Sequence, residues 1–294
     1  MERTCLGPWL NSGAGRIGQL GGKRMIYKQI TASLKVKDIA SDIPVIQAGV
    51  TVFDACAELG IADAITGIVE QGGRDIGYID FGIEWETTDA LVESWMVPIP
   101  SNEIVSRDLA IANLVPLFAD NYFYFVLCGN RVTGIVSYSD LDKLPFKLAF
   151  FSLLMALESE LASGIRNGEK GVDHYLSLLP PSRREKARKV LRLREEYSKR
   201  GAHRDIVEQR DRLLECTCFA DRAKIWLKDP GLTNRLSFPS KSDARSFLNL
   251  AERLRNQIAH GNSILEVFPT PEDLIEFLQT LEEKTKVLSS GGTD

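Results

Sequence analysis

Hydrophobic positions change their spacing once along this chain, near Pro145. From Ile30 to that point the apolar runs are short and punctuated by glycine or polar turns, as expected of small strands alternating with small helices. Thr51–Leu59 reads as a helix with Thr51 as its N-cap. Gly67–Glu70 and Gly77–Asp80 read as strands around a Gln71-Gly72-Gly73 turn, and Thr87–Ser94 reads as a helix. The plan then recurs. Ser106–Phe118 is predicted helical, Tyr122–Leu127 is strongly β-prone, Gly129-Asn130 is a turn, and Val132–Ser137 is the next strand. Ser139 or Asp140 is available to cap the helix after it. The spacing from Gly77 to Gly134 marks an internal repeat of about 57 residues, a unit that would bury its sheet against its twin.

Beyond Pro145 every long segment has a helical period. Phe146, Phe150, Leu153, Leu154, Leu157, Leu161 and Ile165 form one apolar stripe, and Pro145 suits the first turn beneath it. Pro180-Pro181 opens a helix over Arg183–Arg200, and Arg204–Trp226 reads as a third. Asp229-Pro230-Gly231 breaks the chain. Ser242 can cap a helix running to Ala259, with Phe247, Ala251, Leu254 and Ile258 on its apolar face. Thr270 caps the last helix, with Glu272 and Asp273 in its first turn. The expected fold is therefore α+β over residues 25–145, then an all-α up-and-down helical bundle over 146–288, with 289–294 a loop tail. Residues 1–24 are glycine-rich and aperiodic, and are expected to be a disordered leader or translation from upstream of Met25. Gly13–Gly18 spells GxGxxG, but lacks the preceding strand and following helix that a dinucleotide site needs.

Composition narrows the class. Of 294 residues, 44% are hydrophobic and 26% charged, as in an ordinary globular protein. The longest apolar stretch, Phe146–Leu157, is interrupted by Lys147 and Ser152, so no run is expected to cross a bilayer. The amino terminus has no apolar core of a secretory signal. These features predict a cytoplasmic protein with no membrane partner. The 5 cysteines are scattered, and Cys216-Thr217-Cys218 has no second pair at ligand spacing; it reads as reduced thiols on a helix, and no metal is expected. Charge is uneven: residues 1–150 carry 12 basic and 18 acidic side chains, residues 151–294 carry 24 and 22. Nine of the basic residues fall in Arg183–Arg200. Arg183, Arg184, Arg188 and Arg192 are thus candidate contacts for a polyanion such as RNA, against the plainer reading of a solvated helix face.

The segment with most chemistry runs from Arg253 through Arg255, Asn256 and His260 to Gly261, closing an amphipathic helix. Histidine moves protons near neutral pH, arginine holds a phosphoryl group and its developing charge, and the polar residue can orient phosphate or ribose. That set suits RNA cleavage without a metal. The plainer alternative is a helix-terminal histidine followed by a left-handed glycine. His174 and His203 have no neighbours that suggest chemistry and read as solvent-facing or loop residues.

Two resemblances follow from these residues. Gly134-Ile135-Val136-Ser137-Tyr138-Ser139-Asp140-Leu141 resembles the closing motif of a CBS module, and the repeat makes residues 25–145 similar to a tandem CBS pair. The resemblance implies a regulatory adenine nucleotide (AMP, ADP or ATP), with Ser137 facing phosphate and Asp140 facing ribose. The first copy departs from it, with Asp80 in the hydroxyl position and Ile83 in the aspartate position, so one competent site per chain is expected. Leu254–Gly261 resembles the Arg-polar-x3-His signature of HEPN helical domains, which implies Arg255, Asn256 and His260 as the catalytic set and a homodimer as the working form. Arg253 fits the same signature with a longer spacing. The expected function is a nucleotide-regulated endoribonuclease leaving 2′,3′-cyclic phosphate ends, in phage defence or stress by analogy with that family. The alternatives are a non-catalytic nucleotide-sensing scaffold with a protein partner, and an RNA-binding protein without cleavage. Asp140 lies only five residues before Pro145, so a ligand there is expected to be felt at the first bundle helix.

Overall fold

The computed structural model describes residues 33–59, 66–80, 89–200 and 209–290. The expected leader, Ile83, His203 and residues 291–294 lie outside them. The chain forms two compact units, residues 1–149 and 150–294.

In the first unit the repeat is built twice with the same strand order. Strands β2 (Val45–Gln47), β3 (Thr66–Gln71) and β4 (Arg74–Asp80) form one sheet, with helix α1 (Val52–Leu59) crossing between the parallel β2 and β3. Strands β5 (Ile104–Ser106), β6 (Phe123–Cys128) and β7 (Arg131–Ser137) repeat that order around the short helix α2 (Ile111–Leu114). Each hairpin turns on two residues, and Gly72, Gly73 and Gly129 there have positive φ, which the tight turns require. Gly77 pairs with Val69 and Gly134 with Val126, each beside a bulge at the same place in its hairpin.

The two copies exchange their leading segments. Lys35 bridges Ala110 of the second copy, and Leu91 bridges Thr51 of the first. Strand β1 (Ser41–Asp42) pairs with Ile135 and Gly134 of β7, while Val97 pairs with Tyr78 of β4. This crossing explains both glycines. A Cβ on Gly134 would lie 2.6 Å from the Ser41 carbonyl oxygen, and one on Gly77 would lie 2.7 Å from that of Val97. A shared apolar layer of Ile43, Ile68, Phe125 and Val132 joins the copies. Arg131 adds a polar clamp, with Nε 2.8 Å from Asp75, Nη2 on Glu70 and Nη1 3.1 Å from the Gly73 carbonyl.

Two expected helices differ for the same reason. Of Thr87–Ser94 only the 3-10 turn Val92–Ser94 is helical among the described residues, because Val92 N donates to Val50 and Ala90 accepts from Val52. Ser106 ends β5 instead of opening a helix, and Arg107 and Leu109 give their carbonyls to Lys37 and Val36. Distant backbone partners outcompete the local period.

The second unit is all helical among the described residues. It comprises most of α3 (Leu144–Arg166), then α4 (Gly171–Ser177), α5 (Pro181–Arg200), α6 (Gln209–Glu215), α7 (Phe219–Lys228), α8 (Pro230–Arg235), α9 (Lys241–Ala259) and α10 (Pro271–Ser290). The α3 stripe is buried, with Leu153 only half so. Phe150, Phe247, Phe268 and Phe277 meet ring to ring, and Trp226 is fully buried with its Nε1 donating to the Leu161 carbonyl at 2.9 Å. Gly164 makes room for that indole: a Cβ there would lie 2.3 Å from the ring. By length and mean hydropathy (1.5) α3 meets the requirement for crossing a membrane, contrary to the expectation from its interrupted apolar run; 56% of that window is buried inside the protein.

Three further corrections concern helix ends. The expected helix Arg204–Trp226 is broken at residues 216–218, so the two cysteines sit at a helix junction, and Cys218 and Asp221 close a capping box that starts α7. Asp229-Pro230-Gly231 breaks the chain as expected, ending α7 and opening α8, since the Asp229 carboxylate accepts from Leu232 N. Ser240, not Ser242, caps α9, with Oγ 3.1 Å from Asp243 N. The last helix continues through Ser289 and Ser290, whose hydroxyls donate to carbonyls one turn back.

Candidate functional site

The sequence-derived nucleotide residues sit where β7 ends. Ser137 leaves the strand with extended φ and ψ and caps the 3-10 turn Tyr138–Asp142. Asp140 lies at the third position of that turn, and its Oδ2 accepts from Ser137 N at 2.6 Å and Ser137 Oγ at 2.9 Å. The cap is therefore Ser137, with Asp140 as its reciprocal partner, rather than Ser139 or Asp140 capping a later helix. Asp140 Oδ1 lies 2.8 Å from Lys143 Nζ and accepts from Ser41 Oγ at 3.3 Å. Lys143 Nζ also donates to the Ile39 carbonyl at 2.6 Å and to Ser41 Oγ at 2.9 Å. Asp140 is only 8% exposed, while the Ser137 and Ser139 hydroxyls touch at 2.7 Å toward solvent. A carboxylate that accepts several hydroxyl and N–H donors, beside two surface hydroxyls, has the donor set that a ribose and a phosphate use. Neither Lys143 nor Ser41 belongs to the motif, and nothing in the sequence marks them.

In the second unit Arg255, Asn256 and His260 share the carboxyl end of α9. His260 is the first residue past the helix, and its backbone N donates to the Asn256 carbonyl at 3.0 Å. Gly261 follows at φ +74°; Gly261 N reaches the Ile258 carbonyl and Asn262 N the Gln257 carbonyl, each at 3.0 Å. These two bonds satisfy the last carbonyls and fix the turn that carries His260. Asn256 and His260 are exposed. Arg255 Nη1 lies 3.5 Å from Asn256 Oδ1, at the outer limit of a hydrogen bond. The His260 ring makes no hydrogen bond among the described residues.

The residue that organises this end is Glu158 of α3. Its carboxylate is 5% exposed and is shared by two guanidinium groups: Arg255 Nε at 3.0 Å from Oε2 and Arg222 Nη1 at 3.0 Å from Oε1. Arg222 also donates to the carbonyl and hydroxyl of Thr217, which is itself buried. Burial draws Arg222 below the ordinary arginine value; the Glu158 charge opposes this, and the neighbouring Arg166 and Arg255 cations reinforce it. One carboxylate facing two guanidinium groups leaves an excess of positive charge at this end of the helix. Arg253, by contrast, is exposed. Glu158 was open to detection: it stands at helical spacing with Leu154 and Leu161, a charge within an apolar stripe.

The basic helix α5 is less open than its composition suggests. Arg183 Nε is 2.6 Å from Asp221 Oδ1 and its Nη2 2.9 Å from Cys218 Sγ. Arg184 is half-buried, and its Nε lacks a hydrogen-bond partner among the described residues. Arg188 and Arg192 are exposed and share Glu185, at 3.8 and 2.6 Å. His174 lies on α4, not in a loop, 3.9 Å from Asp229. No group of three or more potential metal-ligating side chains occurs among the described residues.

No protein-family model and no curated protein matches the chain. Solved structures similar to it include a CBS domain pair/ACT domain protein from Thermotoga maritima, 21% identical over 36% of this chain and 92% of that one, with a TM-score of 0.30. The CBS domain of a bacterial CNNM/CorC family Mg2+ transporter in complex with ATP is 13% identical over 42% of this chain and 94% of that one, TM-score 0.31. CBSX2 in complex with AMP is 15% identical over 36% and 92%, TM-score 0.30. The amino-terminal part of this chain is thus similar to CBS domain pair proteins, and the HEPN-like expectation for the helical unit has no counterpart in these three.

Proposed function

We propose that this chain is an adenine-nucleotide-responsive endoribonuclease that needs no metal, with its active site at the end of α9 and its nucleotide site at the Ser137 turn. The observation that carries the catalytic part is Arg255. A buried carboxylate fixes its Nε, while Nη2 has no hydrogen-bond partner among the described residues; the exposed Asn256 amide is its neighbour, and the exposed His260 ends the same helix. That is the arrangement a phosphodiester needs: an oriented cation for the pentacoordinate charge, a polar group for the phosphate, and a proton carrier.

In this reading His260 takes the proton from a ribose 2′-hydroxyl or returns one to the leaving 5′-oxygen. The 2′-oxygen attacks phosphorus, the bond to the 5′-oxygen breaks, and the products are a 2′,3′-cyclic phosphate and a 5′-hydroxyl. Asn256 orients the phosphate. Two copies of the chain pair so that two such helix ends form one site. At the other site Asp140 would hold a ribose and Ser137 a phosphate, and the bound nucleotide supplies control rather than chemistry.

The test is cleavage of mixed RNA in EDTA by wild type and His260→Ala, with and without AMP or ATP, with the fragment ends mapped. Loss of about 10²–10⁴-fold in rate is expected for His260→Ala, with cyclic-phosphate ends in the wild type. Arg255→Ala is expected to fall comparably and Arg253→Ala little. Cleavage that persists in His260→Ala overturns the catalytic assignment, and the absence of any cleavage by wild type moves the reading to a nucleotide-sensing scaffold with a protein partner.

A further inference from the structure

The Asp140 carboxylate is already saturated. Oδ2 serves the Ser137 amide and hydroxyl, which belong to its own turn and stabilise it. Oδ1 serves Lys143 Nζ at 2.8 Å and Ser41 Oγ at 3.3 Å, two donors 2.9 Å from each other. Two donors that close together on one carboxylate oxygen occupy the place that the vicinal hydroxyls of a ribose would take. The lysine is the stronger of the two, because its charge is opposite and it lies closer, at 2.8 Å against 3.3 Å. It also has somewhere to go, since an ammonium near the surface regains water when it leaves.

We propose that Lys143 is an internal competitor for the ribose position, so that a nucleoside is admitted only when the ammonium leaves Asp140. The proposal rests on the nucleotide reading of the Ser137 turn. Lys143 then sets the affinity threshold of the site: removing its charge exposes Asp140 Oδ1 to the ligand, while retaining the charge retains the competition. Because the competitor is an ion pair and adenosine is neutral, salt weakens the competitor more than the ligand. Adenosine affinity therefore rises with salt in the wild type, opposite to the behaviour of a ligand held by charge.

The experiment is calorimetric titration of the full-length chain with adenosine and AMP at low and high salt. Lys143→Met, which keeps the length of the stem, is expected to bind adenosine about two- to fivefold more tightly than wild type, the scale of one partly exposed ion pair. Its affinity should no longer respond to salt. Lys143→Arg keeps the charge and is expected to bind like wild type, and Asp140→Ala to bind no adenosine. Thermal melts of each variant confirm that it is folded. Adenosine binding that is unchanged or weakened in Lys143→Met, or tightened equally in Lys143→Arg, overturns the competitor while leaving the nucleotide site in place. No binding of adenosine or AMP by wild type, Lys143→Met or Lys143→Arg overturns both.

Discussion

Asp140 and Glu158 are both buried carboxylates that take several donors, yet they are built in opposite ways. Asp140 belongs mainly to a local turn: two of its hydrogen bonds come from Ser137, three residues back, and its cation is Lys143, three residues on, with Ser41 its one remote donor, at a longer 3.3 Å. Glu158 takes its donors from residues 64 and 97 positions away. The local carboxylate faces one cation with a route to water. The remote one faces two guanidinium groups, of which Arg222 has a side chain only 12% exposed. A carboxylate of the first kind is a replaceable lid on a turn. One of the second kind is a joint between helices, and its loss strands charge.

That contrast sets an order of effects. Glu158→Ala leaves Arg222 and Arg255 without their counter-charge and is expected to destabilise the second unit by about 3 kcal/mol, read by urea unfolding. It should also reduce RNA cleavage by unseating Arg255. Asp140→Ala removes the reciprocal cap, but Lys143 can reach water, so about 1–2 kcal/mol is expected. A loss as large as that of Glu158→Ala would break the comparison. Ser137→Ala keeps the Asp140–Lys143 pair and the backbone bond to Asp140, and should cost about 1 kcal/mol or less. The smallest effect concerns Glu70, a third carboxylate closer to the surface. The hydrogen bond and charge of Arg131 hold Glu70 below the usual carboxylate range against a smaller opposing effect of burial. A depressed folded value means that this stabilisation is complete above the ordinary glutamate range and is lost as pH falls through the lower, folded value. Arg131→Met should therefore lower the thermal midpoint at neutrality and flatten its acid limb, the difference from wild type shrinking as pH falls through the carboxylate range.

The same local-against-remote division decides what the sequence made readable. The hairpins, their glycine turns and the repeat were legible because each is fixed by neighbours within a few residues. Ser137 and Asp140 were legible as a pair for the same reason, although which residue caps was not. Most of Thr87–Ser94 and the start of Ser106–Phe118 were misread because their backbone groups are taken by the other copy of the repeat, a competition that no local pattern records. At α9 the Arg-Asn-x3-His spacing was plain. That Arg255 meets Glu158 while Arg253 is exposed was not readable, because it depends on how three helices pack. Ser41 was invisible because it arrives on β1 from far earlier in the chain, whereas Lys143 is local to Asp140 and was missed because it lies outside the motif.

The exchanged leading segments of the repeat carry a consequence for how the protein is made. Ser41 leaves the ribosome long before Ile135, the residue its strand pairs with, and Lys35 long before Ala110. The first copy can form its hairpin early, but β1 has no partner until the second copy is nearly complete. Pairings of such long sequence separation fold slowly and all together. Synthesis halted after the first copy should yield a nascent chain with an unsatisfied strand edge, exposed to proteases and to the wrong partner, so the duplication is useful to the cell only as a pair.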